Sequence, residues 1–590
     1  MDITPRNPEN REPISLSTQS KMTEAWKAKA TAKREALSSL IPPEWRLPTP
    51  VPPPSELPNV TREIRRYLSP QEISITESSA VEIVTKTSTG QWKCEAVTRA
   101  FCHRAALAHQ MINCLHEIFF DAAIDSARSL DEYYGNHRKP RGPLHGLPIS
   151  LKDTIHVEGV QTSMGIVGWL DTVEGQSRGP HPEHTKRGYS SLIVQNLQGL
   201  GAIPYVKTSV PQGSFSGETT NHIIGHTPNP ANRNLVVGGS SGGEGGLLAL
   251  YGSPLGLGTD IGGSIRVPAA FNECFGLKPS TGRLPFQGIA SVVDGEAAIP
   301  FVVGPMAHSA GDLVFCVRAL LAVEPWRGDP LVLELPWRDE VFESTKRIFR
   351  GLEPAARLAF GVMVSDGVVN PQPPVTRALG EVVQLLRALG HTVIEWKPPS
   401  HAEALKLWRE NCVIDGGTKF HNALSLSSEP ATPTVFGNRA RAPVDGSEVM
   451  ARTVALREYR KAYLDYWEST ADETGTGRAV DALIAPVHHG PPPAKGKVRY
   501  MGYTCAFNVL DYSASVIPVT RARKDVDVYT EGYSALNPMD KMAYEDYDPG
   551  LLDGAPVGVQ IVGRRLQEET VLALAEEISS AMEKGDPSRL

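Results

Sequence analysis

The chain has 590 residues, with 59 Lys plus Arg against 66 Asp plus Glu, for a net charge of −7. That balance excludes a general binder of nucleic acid or anionic membranes, which needs a basic surface. The seven cysteines (Cys94, Cys102, Cys114, Cys274, Cys316, Cys412 and Cys505) are scattered with no CxxC pair, which argues against a disulfide framework or cysteine zinc site and for a reducing compartment.

The N-terminus, MDITPRNPENREPISLS, is polar and has no apolar h-region, so no secretory signal is visible. No uninterrupted apolar run reaches the roughly 18 residues a spanning helix needs. A cytoplasmic protein is expected. Residues 1–19 read as disordered and 20–40 as a helix, halted by the proline-rich IPPEWRLPTPVPPPSELP, which is expected to run extended over a surface. One large domain is expected over 61–590. Residues 93–134 give two helical patterns, the second being NCLHEIFFDAAIDSARSLDEYY.

GLPISLKD and GAIPYVKTSV then read as short buried strands. RLAFGVMVSDG is a strand, PPVTRALGEVVQLLRALG a helix, and HTVIEW a strand, which makes a βαβ unit. In that helix Val375, Leu379, Val382, Leu386 and Leu389 form an apolar stripe, and Gly390 is the stop. Residues 523–549 read as a long surface loop. The C-terminal GAPVGVQIVGRRLQEETVLALAEEISSAME repeats the strand-then-helix order. The fold class is α/β with a substantial sheet.

Residues 238–270, GGSSGGEGGLLALYGSPLGLGTDIGGSIRVPAA, are dense in glycine and carry only Glu244, Asp260 and Arg266 as charges. A phosphate loop needs a lysine after its second glycine, and neither glycine run has one. Gly239-Ser240-Ser241-Gly242-Gly243 fits GxSxG, the nucleophile elbow of a serine esterase, with Ser241 as nucleophile. That motif needs a strand directly before it, and IIGHTPNPANRNLVVGG is broken by prolines and asparagines. In a third reading the N–H groups of Ile261, Gly262, Gly263 and Ser264 converge on one oxyanion, with Ser264 as nucleophile. In a fourth the glycines merely let a helix pack tightly. Lys152 ends the apolar run HGLPISLK; if buried rather than snorkelling, it becomes a neutral base, with Ser240 bridging it to Ser264.

GLPISLKD, GGSSGGEGG and GLGTDIGGSIRVPAAF, with Ser240 and Ser264 24 residues apart, together resemble the amidase signature family of Ser–Ser–Lys amidohydrolases. KTSVPQ, HIIGHTPNP, GRLP, VVGPMAHS, VDALIAP and GAPVGVQIVGRR extend the resemblance over about 20–590. It is most similar to the fungal acetamidase-type general amidases. The resemblance implies a single domain with a mixed sheet of about eleven strands covered by helices on both faces. It implies Ser264 as acyl-forming nucleophile, Ser240 as bridge, Lys152 as base, and Ser241, Asp260 and Arg266 as supports of the loops. Ser240 would be joined to the residue it precedes by a cis peptide bond. The expected chemistry is hydrolysis of an amide to a carboxylate plus ammonia or amine, without metal or organic cofactor. A small-molecule amide is the expected partner, with no nucleic acid and no membrane segment, and a homodimer is compatible. GSFSGETT departs from the acetamidase pattern around Phe215, an expected wall of the acyl pocket. The alternatives are a glutaminase-type subunit of an amidotransferase complex and an esterase using Ser241. His181 and His184 in HPEH, and the pair His488-His489, read as surface histidines.

Overall fold

The computed structural model describes residues 16–172, 189–295, 298–353 and 357–585. Its centre is one eleven-stranded sheet. In chain order the strands are β1 (Leu115–Ile118), β2 (Pro148–Lys152), β3 (Ile203–Thr208), β4 (Leu255–Asp260), β5 (Phe275–Lys278) and β6 (Val302–Ala307). They continue as β7 (Ala359–Val362), β8 (Thr392–Glu395), β9 (Ala482–Pro486), β10 (Ser513–Arg521) and β11 (Pro556–Gly563). Their order across the sheet is β1-β3-β2-β4-β6-β5-β10-β11-β9-β7-β8. Strands β3, β2 and β4 are mutually parallel, as are β9, β7 and β8, and every other pairing is antiparallel.

Both faces of this sheet are buried, which follows from the side-chain alternation of a strand. On β9, Ala482 and Ile484 enter one apolar core while Leu483 and Ala485 enter the other. On β11, Val557, Val559 and Ile561 enter the first core and Val562 the second. Such strands read as continuous apolar runs because neither face meets water. The first core is covered by helices Pro373–Ala388 and Glu568–Gly585, among others, and the second by His401–Asn411, Gly446–Ser469 and Gly502–Val509.

The βαβ unit forms as expected: β7 and β8 pair in parallel, joined by helix Pro373–Ala388. Val375, Leu379, Val382 and Leu386 are buried, but Leu389 is 45% exposed, because the helix ends at Ala388 and Gly390 turns the chain away with φ +84°. The segment 113–134 is not one helix. Leu115–Ile118 forms the edge strand β1 before helix Phe120–His137 begins.

Near the N-terminus a helix spans Leu16–Ser39, so residues 16–19 are helical; residues 1–15 lie outside the described residues. Ala30 and Leu37 are buried, and Lys33 pairs with Glu117 at 2.6 Å. The proline-rich segment lies on the surface as expected. It carries one 3₁₀ turn at Pro43–Trp45, and its Leu47 N–H donates to Gln110 Oε1 at 2.8 Å. Residues 523–549 correct the surface-loop expectation. They contain helix Pro538–Glu545, capped by Asn537, and bury Asp527, Asp540 and Tyr547. The Tyr547 hydroxyl, donating to the Asp527 carbonyl, ties the ends of the segment together.

Candidate active site

Parallel sheets present reactive groups at the carboxyl ends of their strands. Lys152 is the last residue of β2 and Asp260 the last of its parallel neighbour β4. Lys152 is fully buried, and its Nζ lies 2.7 Å from Ser240 Oγ, 2.8 Å from Thr259 Oγ1 and 3.2 Å from the Thr259 carbonyl. Burial lowers its pKa from the usual lysine range to about 7, against the opposing pull of the Asp260 and Glu244 carboxylates. Its place at the end of an apolar strand is what denies it solvent.

The glycine-rich stretch divides into two parts with different work. Helix Gly242–Ala249 uses glycine to pack closely: a Cβ on Gly243 would lie 2.2 Å from the Ser209 nitrogen. The loop after β4 uses it for conformation. Gly263 has φ +124°, and a Cβ there would lie 2.3 Å from Thr504 Oγ1. The two parts meet where Ser241 N–H donates to the Ser264 carbonyl at 3.0 Å.

Asp260 is the knot of the loop. Its Oδ1 accepts from Gly263 N–H at 2.9 Å and its Oδ2 from Ile265 N–H at 3.0 Å. Arg266 bonds both carboxylate oxygens, Nη2 to Oδ1 at 3.0 Å and Nε to Oδ2 at 3.2 Å. Burial alone would raise the Asp260 pKa; the Arg266 guanidinium and the hydrogen bonds outweigh it and hold the carboxyl below its usual range. Arg266 is itself held by Asn508 Oδ1 at 2.6 Å and Gln560 Oε1 at 3.1 Å. Behind Lys152, buried Glu244 accepts from Ser150 at 2.6 Å and Thr208 at 2.8 Å. Burial pushes its pKa up to about 7 despite those bonds.

Ser264 retains slight exposure and faces a cavity of about 530 Å³. Phe215, Ile261, Gly262 and Trp408 line the same space. Trp408 holds the loop from outside, Nε1 donating to the Ile261 carbonyl at 2.7 Å, and Thr504 Oγ1 donates to the Gly262 carbonyl at 2.6 Å.

The structure differs from the sequence reading at several places. Gly263 gives its N–H to Asp260 rather than to the cavity, so among the four expected oxyanion donors it serves the loop instead. Ser241 is fully buried with its hydroxyl toward the Thr259 carbonyl at 3.4 Å, away from the cavity lining. The strand before it, Asn232–Val236, belongs to a separate two-stranded ribbon rather than the main sheet, which is not the setting of an elbow. The cis peptide bond is Gly239–Ser240, one bond earlier than expected. His488 and His489 are buried, not on the surface, because they continue β9 inward; their rings lie 4.0 Å apart and burial lowers the His488 pKa to about 4. HPEH lies outside the described residues.

Sequence reasoning missed Thr259, Trp408, Asn508 and Gln560. Gln560 left a signal, as the polar side chain inside the apolar run PVGVQIVG. Trp408 and Asn508 sit on helices whose facing partners are more than 140 residues away, so no local pattern marks them.

Residues 96–572 match the amidase family. The chain is 43% identical over 561 residues to an acetamidase of Aspergillus oryzae, covering 95% of this chain and 99% of the relative. It is 40% identical over 564 residues to an acetamidase of Emericella nidulans, again covering 95% and 99%. The structure of a fatty acid amide hydrolase superposes with a TM-score of 0.85 at 32% identity, covering 95% of this chain and 96% of that one. The chain belongs to the amidase signature family and is a hydrolase of amide C–N bonds.

Proposed function

We propose that Ser264 is the acyl-forming nucleophile, Ser240 the proton relay and Lys152 the base. The observation that carries this reading is a fully buried Lys152 whose Nζ meets Ser240 Oγ at 2.7 Å beside a cavity lined by Ser264. A neutral amine keeps a lone pair, so Lys152 donates to the Thr259 oxygens and accepts from the Ser240 hydroxyl. Ser264 Oγ attacks the amide carbonyl while its proton passes through Ser240 to Lys152. The N–H groups of Ile261, Gly262 and Ser264 stabilise the oxyanion. The proton returns through Ser240 to the nitrogen as the C–N bond breaks, releasing ammonia or amine and leaving an acyl-Ser264 ester. Water, giving a proton through Ser240 to Lys152, attacks the ester; as the C–Oγ bond breaks, that proton returns to Ser264 Oγ and the carboxylate is released.

The named relatives support small carboxamides, acetamide among them, as substrates. The same reading takes 61–590 as the catalytic domain and 20–60 as a wrap over its surface. All seven cysteines are buried thiols, which supports a reducing compartment such as the cytoplasm. Among the described residues no helix is long and apolar enough to cross a membrane.

The test is covalent. A fluorophosphonate is expected to label Ser264 on peptide mapping, and Ser264→Ala to release no ammonia from acetamide or benzamide. Ser241→Ala retains measurable turnover. Label on Ser241 would transfer the nucleophile to the elbow and sink the Ser–Ser–Lys assignment.

A further inference from the structure

The cavity at Ser264 is far larger than acetamide requires. A space of about 530 Å³ is in the range of sites that hold drug-sized ligands. Its walls have two zones. Nearer the loop they are aromatic. The Phe215 ring stacks at 6.5 Å from Trp408 and 6.0 Å from Phe436, and Phe436 N–H donates to the Phe215 carbonyl at 2.7 Å. The wall is therefore fixed to the loop that bears Ser264, through Trp408 and the Ile261 carbonyl.

The other zone is cationic. Arg409, Arg441 and Arg499 all line this cavity. Arg499 is committed, its Nε donating to Asp546 Oδ2 at 2.8 Å. Arg409 and Arg441 have no carboxylate partner among the described residues. Arg409 follows Trp408 on helix His401–Asn411. The Arg441 backbone is pinned, its N–H donating to the Gly416 carbonyl at 2.9 Å, so the side chain starts from a fixed point. Glu218 lines the same cavity, but its buried carboxylate is turned to the backbone, accepting from Gly496 N–H at 2.9 Å and Val498 N–H at 3.2 Å, and it offsets at most one of the two guanidiniums. The whole chain carries a net charge of −7, so two guanidiniums without a carboxylate partner among the described residues, at one mouth, run against the composition. Guanidinium presents a planar fork that fits carboxylate, and a cleft of one sign concentrates oppositely charged ligands.

We propose that this cavity selects amides whose acyl part carries an aromatic ring and, distal to the carboxamide, a carboxylate clamped by Arg409 and Arg441. The inference rests on the amidase reading above, with the acyl group in this cavity. The ring lies against Phe215, Trp408 and Phe436, the carboxamide reaches Ser264, and the carboxylate stays at the wetter cationic end. Neutral short amides are hydrolysed less efficiently because they use only the inner zone.

The experiment compares 4-carbamoylbenzoate with 4-methylbenzamide, read as ammonia release by the full chain, with acetamide as reference. The carboxylated amide is expected to show about tenfold higher kcat/KM, expressed mainly in KM and narrowing at high salt as charges are screened. The double variant R409Q/R441Q lowers kcat/KM for 4-carbamoylbenzoate far more than for 4-methylbenzamide, bringing their ratio close to one. R409K/R441K restores only part of it, because an ammonium lacks the fork. Equal kcat/KM for the two ring amides in the unmodified chain overturns the proposal, and so does a preference that survives the glutamine variant. Hydrolysis of acetamide with neither ring amide accepted also overturns it while leaving the amidase mechanism standing. No ammonia from any of the three overturns the mechanism itself.

Discussion

Lys152 is a lysine with nowhere to put a charge. Its pKa of about 7 makes the neutral amine available near neutrality, where an ordinary lysine would be almost wholly protonated. In the proposed mechanism the deprotonated form is the base, so kcat/KM is expected to rise with pH through a single ionisation near 7 and then level off. Lys152→Ala removes that limb and costs on the order of a hundredfold or more, the weight of a positioned base. Lys152→Arg is no better, since a guanidinium does not deprotonate in a protein. Full activity with an unchanged profile in Lys152→Arg would mean that another group is the base. The same shift acts on stability. Between about 7 and about 10 the unfolded chain holds a proton that folded Lys152 lacks, so this group makes stability rise with pH across that window. Lys152→Met is expected to flatten that slope in denaturant midpoints measured at several pH values, even as activity disappears.

At the scale of elements, the strand β4, the loop after it and helix Arg266–Phe271 form one unit held by Asp260. Asp260→Asn leaves the buried Arg266 charge without its full counter-charge, a change expected to cost about 3–5 kcal/mol, seen as a lower urea midpoint. The Asp260 pKa is lowered in the fold, so its contribution is present above the unfolded value of about 3.9 and is lost as pH falls below it. A midpoint for Asp260→Asn that tracks the unmodified chain from pH 7 to pH 3 would remove Asp260 from this role. Elements with a clear period were legible. The apolar stripe of Pro373–Ala388 and the runs that became β2, β3, β7 and β8 all showed in the sequence. Strand β1 did not, because four residues before an amphipathic helix carry too short a pattern, and its strand character comes from pairing with β3. The tied segment 523–549 was missed for a related reason: polar, proline-containing sequence marks turns, but not which of its side chains another part of the chain will cover.

The whole molecule is closed by its C-terminal helix, Glu568–Gly585, whose Leu572, Leu574 and Ile578 are fully buried in the first core. Each such side chain is worth about 1.5–3 kcal/mol of burial. The helix also carries acids to cations far away in sequence. Buried Glu569 meets Arg283 and Arg338, and Glu577 meets Arg350 at 2.6 Å. Glu569→Ala is expected to lower stability by up to about 3 kcal/mol, near the low end for a buried pair because Glu568 still faces Arg283 at 3.4 Å. Calorimetry should show one cooperative transition at a lower temperature, since this helix packs on the same sheet that bears Lys152. A separate early transition would instead make the helix an independent unit.

The sequence by itself determined the local content: apolar runs that must be buried as strands, periodic stripes that must lie on a sheet, and a glycine-rich stretch spaced from a lone lysine in a way that resembles one family. It also determined which side chains were available for chemistry, because Lys152, Ser240 and Ser264 stand in motifs readable without a fold. Tertiary structure decided what those side chains are. Burial lowers the Lys152 pKa to about 7, a shift no local pattern records, because desolvation depends on every element packed around the group. The folded loop also turns the Gly263 N–H to Asp260, three residues before it, and a contact 18 residues away in sequence turns Ser241 to Thr259 rather than the cavity. Long-range packing brought Trp408, Arg409 and Arg441 to the cavity lined by Ser264, more than a hundred residues earlier in the chain. Covalent sequence specifies chemistry and short-range geometry; solvent exclusion and the meeting of distant groups exist only once the chain has closed on itself.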